Sequence, residues 1–400
     1  MTDWLSSLTE QHIESEAPLA FWYWSALTAI SAVIKDHVYF DKFYYKVYPN
    51  IYTILYADSG MKKGPPINMA RMLVEKVNNT RIINGRSSIQ GILKKLGTAE
   101  TRKGGIVIDT SCGFINSSEL ASSLVEDKAA LTILTDLFDR QYRAGSWESL
   151  LKMESFLLKD PIVSILGGIN EAHAHQLFSA KDVQGGFFAR SFFIHETEAQ
   201  TVNSLMFAPK IVPNYDELGK YLITISTLKG EMTLDHDDRL FFKSWYEDFK
   251  QDIKTQRIVD PTGALNRYDD SIWKAAMLIT LARSGQLHIR REFLDEAMTV
   301  CARLIGNVRR VTMGNDGTEN GLTIQKKIAI MELIERSNHT ISRQQLHKKF
   351  FMHAGLNEWN EIMAQLEIAG ILSIETHGNV IIYKMNEEQI KGWQDHFAGR

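Results

Sequence analysis

The sequence predicts an α/β fold: a mostly parallel sheet with helices on both faces, then a helical domain, then a small C-terminal module. Three observations predict it. Short apolar runs alternate with helical spacings from Asn50 to Glu196, the pattern of strands buried on both faces. From 197 to 315 the helical spacing takes over, as in Ile272, Ala276, Ile279 and Leu281, then Phe293, Ala297, Val300 and Leu304. From 322 to 400, three helical stretches precede two short strand-like runs.

Those shifts divide the chain into an N-terminal helical segment (1–48), a sheet domain (49–196), a helical domain (197–315) and a terminal module (322–400). Asn315–Gly321, Asn-Asp-Gly-Thr-Glu-Asn-Gly, reads as a turn-rich linker. Within the sheet domain the expected strands are Ile51–Tyr56, Arg81–Ile83, Gly105–Asp109, Ile162–Gly167 and Phe188–Ile194. The expected helices are Pro65–Asn78, Ser88–Leu96, Ser118–Leu124, Thr132–Tyr142 and Ala172–Phe178. In the last module, helices at Thr323–Arg336, Ser342–Phe350 and Asn357–Ala369 precede strands Ile371–Ile374 and Val380–Tyr383. That order suggests a winged helix-turn-helix.

With 400 residues, 44% hydrophobic and 23% charged, the chain has material for a full core and two or three domains. The net charge of −3 excludes a grip on nucleic acid by the whole surface; contact with DNA has to come from a local patch or a ring. Cys112 and Cys301 cannot build a disulfide framework or a zinc cage, which fits a reducing, cytoplasmic setting. Met1–Glu16 is polar and acidic, unlike a signal peptide. Ala17–Ile34 is nearly free of charge, yet Pro18, Ser25, Thr28 and Ser31 favour a buried core helix over a membrane span.

The sheet domain is organised around Asn50–Ala70. Ile51–Tyr56 is a charge-free strand, Ala57–Gly64 a polar, basic turn, and Ile67, Ala70, Leu73 and Val77 mark a helix starting near Pro65. A strand, a tight loop with a lysine and a helix start form the geometry that cradles phosphates. On the pattern G-x-x-x-x-G-K-[ST] the chain gives Ala57, Asp58, Ser59, Gly60, Met61, Lys62, Lys63, Gly64. Lys63 takes the phosphate-binding place, Lys62 stands where glycine is usual, and Gly64 lacks the hydroxyl that ligates magnesium. Taken alone, the motif fits a nucleotide site and an ordinary strand-turn-helix.

Three further signals follow in order. Gly104–Thr110 is an apolar run ending on Asp109, where magnesium-binding acids sit in P-loop ATPases; a turn-capping aspartate reads equally well. Thr110 stands in place of the usual water-activating glutamate, a role left open to Glu119 or another acid, with nothing in the sequence to choose between them. Pro161–Asn170 ends on Asn170, an amide able to orient water, although strand-to-helix turns favour Asn for backbone reasons. Arg190 is the lone charge of Gly185–Ile194; by itself it reads first as a structural ion pair, then as a charge held for phosphate.

Taken together, these segments resemble the P-loop ATPases of phages and other mobile elements, related to hexameric replicative helicases and often linked to primases. The residues carrying the resemblance are Tyr48-Pro49-Asn50-Ile51-Tyr52, Lys62-Lys63-Gly64-Pro65, Pro161–Gly168 and Gly186-Phe187-Phe188-Ala189-Arg190, and it covers roughly residues 15 to 310. It implies a P-loop NTPase core that binds ATP through Ser59, Gly60, Met61, Lys62, Lys63 and Gly64, with Lys63 on the β- and γ-phosphates. Asp109 would hold Mg2+, Asn170 would polarise water, and Arg190 would serve as a finger or sensor, reaching a neighbouring subunit's nucleotide. The expected function is a replication-associated ATPase working as a homo-oligomeric ring on single-stranded DNA, with a primase or replication partner and no membrane. Gly64 and Thr110 keep an alternative open: a loader or scaffold that binds nucleotide and DNA with weak or no turnover.

Weaker constellations remain. Arg140, Arg143 and Lys152, interleaved with Tyr142 and Trp147, read as a strand-contacting loop or a solvated helix end. In 322–400, Glu358, Glu361 and Glu367 on the presumed recognition helix would repel phosphates, so Arg343, Lys348 and Lys349 are the better backbone contacts. Protein docking by this module carries the same weight as DNA binding.

Overall fold

The computed structural model describes all residues except 1–2, 78–79, 98–110, 121–128, 140–144, 151–154, 171–185, 204–208, 256–259, 261, 313–329, 332, 351–355, 369–370, 378–379 and 386–400. Contacts divide the chain into two units, Met1–Leu304 and Ile305–Arg400. The sequence boundaries near 48 and 196 fall inside the first unit; the expected linker at 315–321 lies outside the described residues.

In the first unit, α1 (Trp4–Gln11) and α2 (Leu19–Ile34) precede a ribbon of β1 (Val38–Asp41) and β2 (Lys46–Val47). Then come β3 (Tyr52–Ala57), α3 (Gly64–Glu75), β4 (Ile82–Asn84), α4 (Ile89–Gly97), β5 (Cys112–Ser117) and α5 (Ala130–Phe138). A hairpin of β6 (Ser146–Leu150) and β7 (Ser155–Lys159) leads to β8 (Ile162–Asn170). One 3-10 turn at Phe188–Arg190 leads into β9 (Ser191–His195). The later helices are α6 (Tyr215–Ile225), α7 (His236–Thr255), α8 (Tyr268–Ser284) and α9 (Arg291–Thr312), the last of which runs on past the unit's end at Leu304. The two-residue strands β10 (Gly230–Glu231), β11 (Thr233–Leu234) and β12 (His288–Ile289) lie among them.

Five strands form one all-parallel sheet in the order β4-β5-β8-β3-β9. Every residue of β3 is buried, which is why the sequence shows a charge-free run there instead of alternation. Its neighbours are β8, with Tyr52 opposite Ile165 and Ala57 opposite Asn170, and β9, with Tyr52 opposite Ser191. α2 lies against this sheet, and its hydroxyls serve the packing: Thr28 donates to Thr53 at 2.7 Å, and Ser31 and Ser164 share a hydrogen bond of 2.6 Å. Among the described residues no helix is long and apolar enough to cross a membrane.

The early and late helices pack together. The Trp4 indole donates to the Leu218 carbonyl at 3.1 Å, and Tyr23 donates to Glu296 at 2.9 Å. Arg283, at the end of the almost wholly buried α8, bonds both Glu296 and Asp3 at 2.7 Å.

Two parts of the sheet domain differ from the sequence reading. The strand between β4 and β8 is Cys112–Ser117, where the sequence pointed to Gly105–Asp109, a run outside the described residues. Ser155–Lys159 is a strand of strict alternation that pairs antiparallel with Ser146–Leu150. The expected helix Ala172–Phe178 lies outside the described residues.

In the second unit, β13 (Thr340–Ser342), α10 (Arg343–Phe350), α11 (Leu356–Ile368), β14 (Leu372–His377) and β15 (Val380–Met385) follow one another. The strands form an antiparallel sheet in the order β13-β15-β14. Ile330, Ile334, Ile341, Leu346, Trp359 and Ile362 make its core.

Candidate functional site

β3 ends at Ala57, at the carboxyl edge of the parallel sheet, and the chain turns outward through exposed Asp58, Ser59 and Gly60. This edge, where loops leave a parallel sheet, is where ligands bind in open α/β folds. Gly60 has φ +90°, and Lys62, a non-glycine residue, is also left-handed at φ +52°. The helix α3 then starts at Gly64, with Pro65 and Pro66 in its first turn. Prolines supply no N–H, so the amide donors at this positive helix end are confined to Gly64 and the residues before it.

The Lys63 ammonium folds back over its own loop, donating to the Ala57 carbonyl at 2.6 Å and the Asp58 carbonyl at 2.8 Å. Lys62 points elsewhere, to Glu16 at 3.5 Å, an exposed pair of little energetic weight. A Cβ built on Gly60 or on Gly64 meets nothing within 4 Å. The loop is therefore open above its glycines and has room for an anion.

Asn170 lies at the same edge, half-buried and directly across from Ala57. The next strand over, β5, delivers Asn116, Ser117, Ser118 and Glu119. Asn116 is buried and donates to the Ile67 carbonyl at 3.1 Å, tying the strand's end to the first turn of α3. Gly167 and Gly168 of β8 make this approach feasible. A Cβ on Gly168 would lie 2.5 Å from the Ser118 carbonyl oxygen, and one on Gly167 would lie 2.5 Å from the Leu120 side chain. Ser118 and Glu119 are exposed at the edge. Glu119 follows the carboxyl end of β5, the strand beside β8; Asp109, the acid expected to hold magnesium, lies outside the described residues.

Arg190 stands elsewhere. It immediately precedes β9, whose first residue pairs with Tyr52, so it belongs to the amino edge of the sheet. Lys63 follows the carboxyl end of β3, and six residues of strand span about 20 Å. Arg190 makes a two-pronged ion pair with Asp139, its Nε at 3.0 Å and a second nitrogen on the other oxygen, and donates to the Gly186 carbonyl at 2.8 Å. Arg267 reaches the same carboxylate at 3.3 Å. The charge of Arg190 meets Asp139 in this chain, the structural alternative that its apolar surroundings suggested.

The residues present fit the phosphates of a nucleotide: a lysine, an open glycine-bearing loop and a helix start converge. They fit magnesium only in part. Gly64 offers no hydroxyl, and among the described residues no three His, Cys, Asp or Glu side chains cluster to hold a metal. Of the residues expected from the sequence to contact DNA, Arg343 is exposed at the start of α10. Lys348 and Lys349 share that helix, with side chains outside the described ones; Arg140, Arg143 and Lys152 also lie outside. No family model matches the chain, and no curated protein matches it.

Proposed function

We propose that the chain is a P-loop nucleotide-binding protein of the ATPase type, which binds ATP with Mg2+ and works as an oligomer on single-stranded DNA during replication. The observation that carries the reading is the Lys63 ammonium lying over the turn that joins the central parallel strand β3 to α3. A bound phosphate would take the place of the two loop carbonyls as the partner of that charge, with the loop amides and helix dipole adding to it. Asn170 would face the terminal phosphate from the adjacent strand, and Glu119 would be the acid that activates water. In the second unit, the succession β13, α10, α11, β14, β15 supports a winged helix, whose exposed Arg343 suits a phosphate backbone or an acidic protein surface.

A second reading, binding with weak or no turnover, is favoured by Gly64, which leaves magnesium without a protein hydroxyl. Phosphate release with and without single-stranded DNA separates the two when wild type is compared with Glu119→Gln. Release that falls in the variant while ATP still binds supports the enzyme; ATP binding with no release from either protein supports the loader.

A further inference from the structure

The two edges of the parallel sheet, β4 and β9, lie four strand spacings apart, about 19 Å, and the chain beside them differs in charge. From Thr80 to Gly97, through β4 and α4, the sequence holds Arg81, Arg86, Lys94 and Lys95 and no acid. Arg81 is buried, and the other three are exposed. The end of α4 meets β7, where a Cβ on Gly97 would lie 3.4 Å from the Leu157 carbonyl oxygen. β7 adds exposed Lys159, and Leu157 at 60% exposure. Among the described residues, α4 and the hairpin carry two carboxylates: Glu148, opposite Leu157, and Asp160, which accepts the Gly145 amide.

The β9 edge is the reverse. Beyond β9 the chain laces onto the end of α1. The Gln200 amide donates to the Glu16 carbonyl at 3.1 Å, and the side chains of Thr201 and Asn203 to the Glu14 carbonyl at 3.3 and 3.2 Å. The Lys210 amide donates to the Glu14 carboxylate at 3.3 Å, and the Asn214 amide to Gln11 at 2.7 Å. Ile13, Val202, Ile211 and Val212 stand within two residues of those bonds and are all exposed, Val202 fully. Residues 10–16, 196–203 and 209–217 hold seven acids against Lys210 alone. Lys62 and Lys76 pair with Glu16 and Asp216, and Lys220 lies one turn beyond Asp216, so the acids still lead by three.

We infer that the acidic aliphatic face of one copy docks on the basic edge of a second copy, head to tail. Exposed apolar groups rimmed by polar ones mark a protein contact, and the surplus of carboxylates turns away nucleic acid. Charge then selects the pairing. Two acidic faces, or two basic edges, would repel when brought together, whereas face and edge attract. Leu157 covers the aliphatic side chains while Lys94, Lys95 and Lys159 meet the carboxylates. Because the two surfaces differ, the contact repeats from copy to copy and builds a ring or an open chain. The inference deepens the oligomer of the proposed function and rests on that reading, but requires neither nucleotide nor DNA.

The test is the mass of the full chain in sedimentation at low and high salt, for wild type, Val202→Arg and Leu157→Asn. Wild type should associate at low salt and less at high salt. Each substitution should weaken association about tenfold or more, with unfolding midpoints at the wild-type value because both side chains are exposed. The two variants are then mixed at a concentration where neither associates alone. Dimers of one copy of each should form, since the intact face of the Leu157→Asn chain meets the intact edge of the Val202→Arg chain. A monomeric wild type at low salt, variants that associate like wild type, or a mixture that stays monomeric each overturns the inference. ATP binding by the same proteins reports separately on Lys63. Wild-type mass and wild-type ATP affinity in both variants discard the contact and leave the nucleotide site standing; mixed dimers without ATP binding do the reverse.

Discussion

Asn50 and Lys274 hold each other at the base of the central strand. The Lys274 ammonium donates to the Asn50 side-chain oxygen at 2.7 Å and to its backbone oxygen at 3.1 Å, with the Tyr48 carbonyl a third acceptor at 2.7 Å. Asn50 in turn donates to the Phe138 carbonyl at 3.0 Å. The Tyr48–Tyr52 motif thus stitches β3 to α5 and α8, at the opposite end of the strand from the turn that carries Lys63. Burial draws the Lys274 pKa from 10.5 down to about 7, against the attraction of Asp270 and Asp139. Between those two values the unfolded chain binds a proton that the folded chain lacks, so stability rises with pH across that window, by at most about 1.4 kcal/mol per unit. Below about pH 7 both states are protonated and this dependence vanishes. Lys274→Met is expected to abolish the rise. Near pH 10 it should cost about 1–3 kcal/mol, since the oxygens around Lys274 lose their donor, and the cost should shrink toward pH 7, where wild type carries the penalty of a buried charge that methionine lacks. Urea unfolding of both proteins across that pH range measures both effects.

Arg190→Met tests the ion pair at the amino edge. Asp139 would keep one ion pair, with Arg267 at 3.3 Å, and an underpaired buried carboxylate costs about 2–4 kcal/mol. ATP affinity of the isolated chain should remain at the wild-type value. A variant of full stability with weakened ATP binding would return Arg190 to the phosphate site.

Gly168→Ala tests the close approach at the carboxyl edge. The added methyl would collide with a backbone oxygen, which cannot rotate away, so a loss of about 1–3 kcal/mol is expected in denaturant unfolding. Wild-type stability would mean that Ser118 and Glu119 are not held where the acid role needs them.

Gly64→Ser should gain function. The position is free of left-handed strain and its Cβ meets open space, so the serine is accommodated without cost to packing. Its hydroxyl would supply the missing magnesium ligand, and magnesium should then tighten ATP binding more in the variant than in wild type. An identical magnesium effect in both proteins counts against a metal at this position.

Much of the sheet was legible because its strands are buried on both faces. Ile51–Tyr56 and Ile162–Gly167 show as apolar runs, and each came within a few residues of the observed strand. β5 was not legible. Cys112-Gly113-Phe114-Ile115-Asn116-Ser117 holds a glycine and a buried amide, poor strand signals beside Gly-Ile-Val-Ile at 105–108. Asn116 is tolerated inside only because the Ile67 carbonyl, far away in sequence, accepts its hydrogen bond. The same limit hid the role of Gly167 and Gly168, set by a segment that crosses over them. Arg190 was legible as a choice between two roles, and Asp139, the deciding partner, is a tertiary neighbour. Phe43 and Tyr44 lie exposed between β1 and β2, which left no trace in the pattern, since an aromatic run reads as core until its surroundings are known.

The central claim is that a triphosphate rests on the Lys63 ammonium, and the most direct measurement is equilibrium binding of ATP to the full chain, wild type against Lys63→Ala. The side chain is half-buried at the loop surface, so the substitution should leave the fold's unfolding midpoint near that of wild type. Loss of a charged donor to phosphate should weaken binding about tenfold or more. Equal affinity for ATP in the two proteins, or no binding by either, would contradict the account.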